Sequence, residues 1–197
     1  MKILAIDTAN AYCSIAIITD DAILDSMRST QVNKQAESLF IMIEALLERN
    51  SLSYRSIDIF VVTKGPGSFT GVRIGMAAAK GLSLITQKKL YGISTLETLA
   101  FIKISSSKDN IHAILNAGRD KAYYQLFTCD LEPLCVPKII SIGEIGAFNG
   151  TIATNVSGYG EVLPDAKYAG MLACKKLKAK EEMPHLPLYV RSVIHKE

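Results

Sequence analysis

The chain has 197 residues and a mass of 21.5 kDa, enough for one large domain or two small ones. Hydrophobic residues make up 49% and charged residues 21%, a composition of folded globular proteins that excludes disordered, collagen-like and coiled-coil chains. The net charge is +3, but residues 167–197 contain seven basic and three acidic side chains, so a basic surface is expected only in this C-terminal segment.

The first hundred residues predict five strands and three helices. Three short apolar runs separated by turns indicate an antiparallel meander. Apolar residues at helical spacing then alternate with two further apolar strands, and Ser94-Thr95-Leu96-Glu97 is typical of a capping box that opens a third helix. The predicted strands are 2–6, 12–18, 22–28, 57–63 and 90–93, and the predicted helices are 34–49 and 72–87.

The second half repeats this plan in abbreviated form after a polar linker at 105–110. Its predicted strands are 111–117, 122–128, 134–140 and 152–157, followed by a lysine-rich helix at 167–180. The order βββαβαβα is not that of a dinucleotide-binding fold, which alternates from its first strand. It matches the half-domain of the actin, sugar-kinase and Hsp70 folds. We therefore predict an α/β, actin-like fold with a first lobe at 1–104 and a shortened second lobe at 105–197.

The N-terminal apolar run is interrupted by Asp7, too early for a signal peptide, and no apolar stretch approaches the roughly 20 residues of a membrane span. The four cysteines form no Cys-x-x-Cys pair and are expected to be reduced, buried thiols. These features predict a soluble, cytoplasmic protein.

The strongest motif is the glycine-rich run from Lys64 to Gly75, between a predicted strand and a predicted helix. Gly65 and Gly67 permit positive φ or a close backbone approach, and Ser68 can cap the helix that follows. Free N–H groups at such a helix start could hold an anion. The alternative is a tight strand-to-helix connection without a ligand. The spacing does not match a P-loop, a dinucleotide fingerprint or a nucleophile elbow.

Four segments occur in the order and spacing of one family: Ile3–Thr8, Gly65–Gly75, Tyr91–Leu96 and Leu188–Arg191. The chain resembles the TsaB (YeaZ) family of tRNA threonylcarbamoyladenosine biosynthesis. Asn116–Tyr123 is similar to the segment that opens the second lobe of that family, and this chain is shorter than usual after it.

This resemblance implies a subunit without catalysis of its own or a cofactor, which serves as a partner of the catalytic TsaD subunit. A small ATPase subunit, TsaE, completes the complex that modifies adenosine 37 of tRNA. The resemblance also implies pairing through the first two helices, with this partner or as a homodimer. tRNA is then expected to bind mainly through the complex, and no membrane is involved.

The TsaD relative binds a metal through histidines of its first helix, and the equivalent segment 33–42 contains no histidine. Glu37 alone cannot form a metal site, which needs two or more converging ligands. The histidines His112, His185 and His195 are scattered and are expected to be surface or packing residues. We therefore predict no metal site.

An enzymatic alternative remains: a small ATPase or small-molecule kinase of the actin-like fold. Its candidate nucleotide-binding residues are Asp7, Gly65, Gly67 and Ser68. Asp7 has a second interpretation, because an aspartate at this position also accepts hydrogen bonds from its own turn. A peptidase is a weaker third possibility, since no nucleophile is paired with a base.

The helices indicate a protein partner. Ile41, Met42 and Ala45 lie off the main apolar face of the first helix, and the second helix has two apolar faces rich in small residues. Ordinary burial is the alternative to a helix-on-helix interface. The predicted partner-binding residues are Ile41, Met42, Ala45, Ile74 and Ala78. The lysine cluster at 175–180 is either a solvated helix face or an auxiliary contact to tRNA phosphates.

Overall fold

The computed structural model describes residues 1–106 and 108–190, so Arg191 and His195 lie outside the described residues. The chain divides into two compact units. The first unit comprises Met1–Thr95 and Pro164–Pro187, and the second comprises Leu96–Leu163 and the segment that begins at Leu188.

The sheet of the first unit contains five strands in the order β3-β2-β1-β4-β5. β1 to β3 form the predicted antiparallel meander, and β4 and β5 continue the sheet parallel to β1. The strands are β1 (Lys2–Asp7), β2 (Ser14–Thr19), β3 (Ala22–Arg28), β4 (Ile59–Thr63) and β5 (Lys89–Ile93).

Helices α1 (Gln35–Arg49) and α2 (Phe69–Thr86) pack on one face of this sheet around an apolar core that includes Phe60. Each helix connects two strands that run in the same direction, so α1 and α2 run parallel to each other. α2 begins three residues earlier than predicted, because the Ser68 hydroxyl accepts a hydrogen bond from the Gly71 N–H and caps the helix there. Helix α3 (Thr95–Lys103) begins at the predicted capping box.

The opposite face of the first sheet is covered by helix α4 (Ala166–Lys178). A Cβ at Gly170 would lie 2.7 Å from Ile18, so glycine lets this helix approach β2 closely. Asp165 caps the helix and pairs with Arg28 of β3 at 2.6 Å. The expected boundary at 104/105 places this helix in the second lobe, whereas in the structure it packs on the first unit.

The second unit is built on a four-stranded sheet in the order β8-β7-β6-β9, with β9 parallel to β6. Its strands are β6 (Ile111–Gly118), β7 (Lys121–Phe127), β8 (Lys138–Ser141) and β9 (Thr151–Thr154). The predicted strand at 134–140 is wrong in its first half. There the Leu126 N–H donates to Cys135 Sγ instead of to a ladder carbonyl, and regular pairing begins only at Lys138.

Candidate functional site

An apolar groove of about 480 Å³ separates the outer surfaces of α1 and α2. The groove is lined by apolar side chains. Several of the lining residues are alanine or glycine, whose small size leaves space between the two helices. Ile85 is 85% exposed and Leu84 78% exposed at the C-terminal end of α2, so the apolar surface continues beyond the groove. The lining residues are Ala36, Leu39, Phe40, Ile74, Ala77, Ala78, Gly81, Leu82 and Ile85.

The structure distributes the five predicted anchors over three environments. Ile74 and Ala78 line the groove, although Ala78 is only 8% exposed and belongs to its floor. Ile41 is 70% exposed and, like Ala45, lies on the outer surface of α1 rather than in the groove. Met42 is 7% exposed and packs in the core with Leu39 and Leu46, so it does not lie on the outer surface where an anchor was expected.

The two apolar faces predicted for α2 are both present. The face with Gly71, Gly75, Ala78, Ala79 and Leu82 is buried, and the face with Ile74, Ala77, Gly81 and Ile85 lines the groove. Phe40 of α1 is 46% exposed and forms part of the groove wall. Sequence reasoning did not single out Phe40 as a groove residue; it stands four residues after Ala36, and this helical spacing places both side chains on the same side of α1.

The glycine-rich loop packs against the turn that follows β1. A Cβ at Gly67 would lie 2.3 Å from the Ala9 carbonyl oxygen, and one at Gly71 would lie 2.0 Å from that of Thr8. The Ser68 N–H donates to the Ala9 carbonyl at 2.8 Å, and the Thr8 hydroxyl donates to the Gly71 carbonyl at 2.7 Å. Gly67 and Gly71 therefore allow the loop to approach the backbone of Thr8 and Ala9 more closely than any residue with a side chain could.

Asp7 lies beside this contact and is 1% exposed. Its carboxylate accepts hydrogen bonds from the Ala9 N–H at 2.9 Å, the Thr63 hydroxyl at 2.8 Å and the Asn10 amide at 2.8 Å. Burial raises the pKa of Asp7, and the hydrogen bonds oppose that shift. The structure thus brings Asp7, Gly67 and Ser68 together, and Asp7 bonds its own turn, as the second interpretation proposed.

Gln35 opens α1, and its side-chain amide donates to the Asn10 carbonyl at 2.6 Å, so it ties the helix to the turn. His112 is held in the second unit by the Asn149 carbonyl at 3.0 Å and stacks on Phe148 at a ring distance of 4.7 Å. His185 packs against Gly92. Among the described residues, no three histidine, cysteine or acidic side chains are grouped so that they could hold a metal ion.

The lysine cluster of α4 is partly neutralised within the chain. Lys176 pairs with Glu181, and Lys178 pairs with Asp21. Two of its four lysines are therefore engaged with carboxylates. In the part of the chain that the structure describes, no helix is long and apolar enough to cross a membrane.

Three comparisons place this architecture among known proteins. Residues 29–145 match the family model described as TsaD: tRNA N6-adenosine threonylcarbamoyltransferase. The tRNA threonylcarbamoyladenosine biosynthesis protein TsaB of Escherichia coli is 37% identical over 100 residues, which cover 51% of this chain and 43% of the relative. The protein of the same name from Buchnera aphidicola subsp. Baizongia pistaciae is 30% identical over 138 residues, covering 69% of this chain and 62% of the relative. The chain thus spans about half the length of the curated relatives it matches.

The solved structure described as YeaZ from Pseudomonas aeruginosa superposes with a TM-score of 0.80 at 21% identity. The match covers 96% of this chain and 99% of that one. At this identity the likeness concerns the fold, and it confirms the predicted α/β, actin-like class.

Proposed function

The chain belongs to the TsaB (YeaZ) family, and from this premise we propose that it is a non-catalytic subunit of a tRNA-modifying complex. In this role it binds and activates a TsaD-like catalytic subunit that forms threonylcarbamoyladenosine at position 37 of tRNA. A TsaE-like small ATPase joins through the complex, and tRNA meets this chain mainly through the assembly.

The observation that carries the proposal is the open apolar groove between α1 and α2. Phe40 and Ile85 line this groove and expose large apolar side chains to solvent. A partner that covers these side chains would lower the free energy of the system by removing apolar surface from water. Grooves between two helices commonly receive a helix of another protein. In protein interfaces, a few buried anchor residues supply most of the binding energy.

The site chemistry supports an accessory role. The glycine-rich loop packs closely against the backbone of Thr8 and Ala9. The Gln35 side chain connects α1 to the turn after β1 through a hydrogen bond. Both carboxylate oxygens of Asp7 already accept hydrogen bonds from the protein. These contacts support a structural role for the loop. None of them favours the alternative function of an ATPase or kinase.

Binding to the TsaD-like subunit of the same organism tests the proposal. Ile85→Ala should weaken the complex about tenfold, because the lost apolar burial is worth about 1.5 kcal/mol. The free energy of unfolding should stay unchanged, since Ile85 is 85% exposed. Val136→Ala is the matched control, as it trims a side chain that is 78% exposed in the second unit.

A charge in the groove gives a stronger test. Ala77→Glu is suitable because Ala77 is exposed and lines the groove, and it should abolish detectable binding. Ala78→Glu is unsuitable as a test, because Ala78 belongs to the core and the new carboxylate would also destabilise the fold. If Ile85→Ala and Ala77→Glu both bind like the unmodified chain, the groove is not the binding site.

Two measurements distinguish the remaining possibilities. Sedimentation of the isolated chain shows whether a second copy occupies the same face, in which case Ala77→Glu should make it monomeric. Calorimetry with ATP and magnesium tests the enzymatic alternative: micromolar binding by the isolated chain would favour an ATPase or kinase over a non-catalytic subunit.

A further inference from the structure

Acidic side chains form a line along the outer surface of α1. Glu37, Glu44 and Glu48 are all exposed, and their spacing of seven and then four residues places them on one side of the helix. Glu37 is engaged by Lys34 at 3.2 Å, whereas Glu44 and Glu48 form no salt bridge within the described residues. We name these three residues the acidic ridge.

Basic side chains form a corresponding line on α2. Arg73 and Lys80 are exposed and seven residues apart, about 10 Å along the same side of the helix. The Arg73 guanidinium lies 3.8 Å from the centre of the Phe69 ring, which fixes its position. Lys80 forms no salt bridge in the described part of the chain. We name these two residues the basic ridge.

The two ridges give the face that surrounds the groove a defined polarity. α1 and α2 run in the same direction, and the carbon-lined groove lies between them. The face is therefore negative along α1, apolar in the middle and positive along α2. An apolar centre with charged surroundings is the usual anatomy of a protein interface.

We propose that the TsaD-like subunit presents the opposite polarity to this face, with basic groups over the acidic ridge and acidic groups over the basic ridge. This inference rests on the proposed function and adds the charge pattern of the partner to it. Complementary charges speed association, and like charges placed opposite each other cost free energy. The ridges consequently select one orientation of the partner, because the reversed orientation would bring like charges together.

The association rate constant with the purified TsaD-like subunit tests the polarity. Glu44→Lys and Lys80→Glu change the net charge in opposite directions, yet both should slow association about fivefold at low salt. The effect should disappear near about 0.5 M NaCl, where exposed charges are screened. The double variant Glu44→Lys/Lys80→Glu has the unmodified net charge and should associate more slowly than either single variant.

Two exposed residues of the second unit supply matched controls. Glu132→Lys and Lys121→Glu make the same charge changes on that unit, and each should stay within about twofold of the unmodified rate. Thermal unfolding of all variants should be unchanged, because the altered side chains are exposed.

Three outcomes would overturn the inference while leaving the proposed function in place. Opposite responses to Glu44→Lys and Lys80→Glu would mean a partner surface of a single sign. Unchanged rates for both would place the ridges outside the interface. A change confined to self-association would make a second copy the occupant. Failure of the unmodified chain to bind the TsaD-like subunit would instead refute the proposed function, and the inference with it.

Discussion

Two glycines of α2 should respond in opposite directions to the same substitution. A Cβ at Gly71 would lie 2.0 Å from the Thr8 carbonyl oxygen, so the backbone must move by about 1 Å to reach even the shortest tolerated contact. Such overpacking costs about 1–3 kcal/mol. The shift also disturbs the hydrogen bond from the Thr8 hydroxyl to Gly71, which is worth about 1 kcal/mol. We expect Gly71→Ala to lower the free energy of unfolding by about 3 kcal/mol.

Gly81 provides the control within the same helix. A Cβ there meets nothing within 4 Å, so Gly81→Ala should raise the free energy of unfolding by about 0.5–1 kcal/mol through helix propensity alone. Urea denaturation followed by circular dichroism measures both variants, with equal slopes required for the comparison. A Gly71→Ala protein as stable as the unmodified chain would refute the packing role of the glycine loop. The loop would then again be a candidate for binding a ligand.

Three further predictions concern buried polar groups. Arg28→Ala should lower the free energy of unfolding by about 2 kcal/mol, because it leaves the buried Asp165 carboxylate without its cation. Arg28→Lys keeps a positive charge and should lose less stability, as measured by urea denaturation of both variants. Burial raises the pKa of Cys13 to about 12 and that of Cys174 to about 11. Both thiols should therefore resist alkylation at neutral pH until urea unfolds the chain. Rapid labelling of either thiol in the folded protein would contradict this prediction. Burial raises the pKa of Asp7 above its usual value of 3.8, so the folded state binds the Asp7 proton more tightly than the unfolded chain does. Protonated Asp7 therefore contributes stability at low pH, and this contribution is lost as the pH rises above 3.8. Asp7→Asn should therefore reduce the fall in unfolding free energy over that range, and an unchanged slope would contradict the raised pKa.

Local periodicity was sufficient to predict the elements of the first unit. The meander, the buried strand at 57–63 and the two apolar faces of α2 follow from residue spacing, which short-range geometry determines. The same rule, applied more strictly, would have assigned Met42 to the core, because it stands three residues after Leu39 and four before Leu46. Ile41, one residue earlier, faces outward for the same reason.

The remaining features depend on contacts between distant residues. The sequence of α4 predicts a helix, but only tertiary packing shows that Gly170 approaches Ile18 on the first sheet. Likewise, the loop glycines indicate either a ligand or a close approach, and the choice depends on where the backbone of Thr8 and Ala9 lies. The groove is a property of two helices together, so neither helix alone could reveal it.

The return of the chain to its first sheet has a consequence for biosynthesis. The strands of the first unit are synthesised before residues 96–163, and α4 is synthesised only after them. At about 5–20 residues per second, the face that α4 will cover stays bare for roughly 3–14 s. Ala5 and Ile18 are then exposed on nascent chains, which makes this face a target for chaperones and a site where neighbouring chains on one message could associate prematurely.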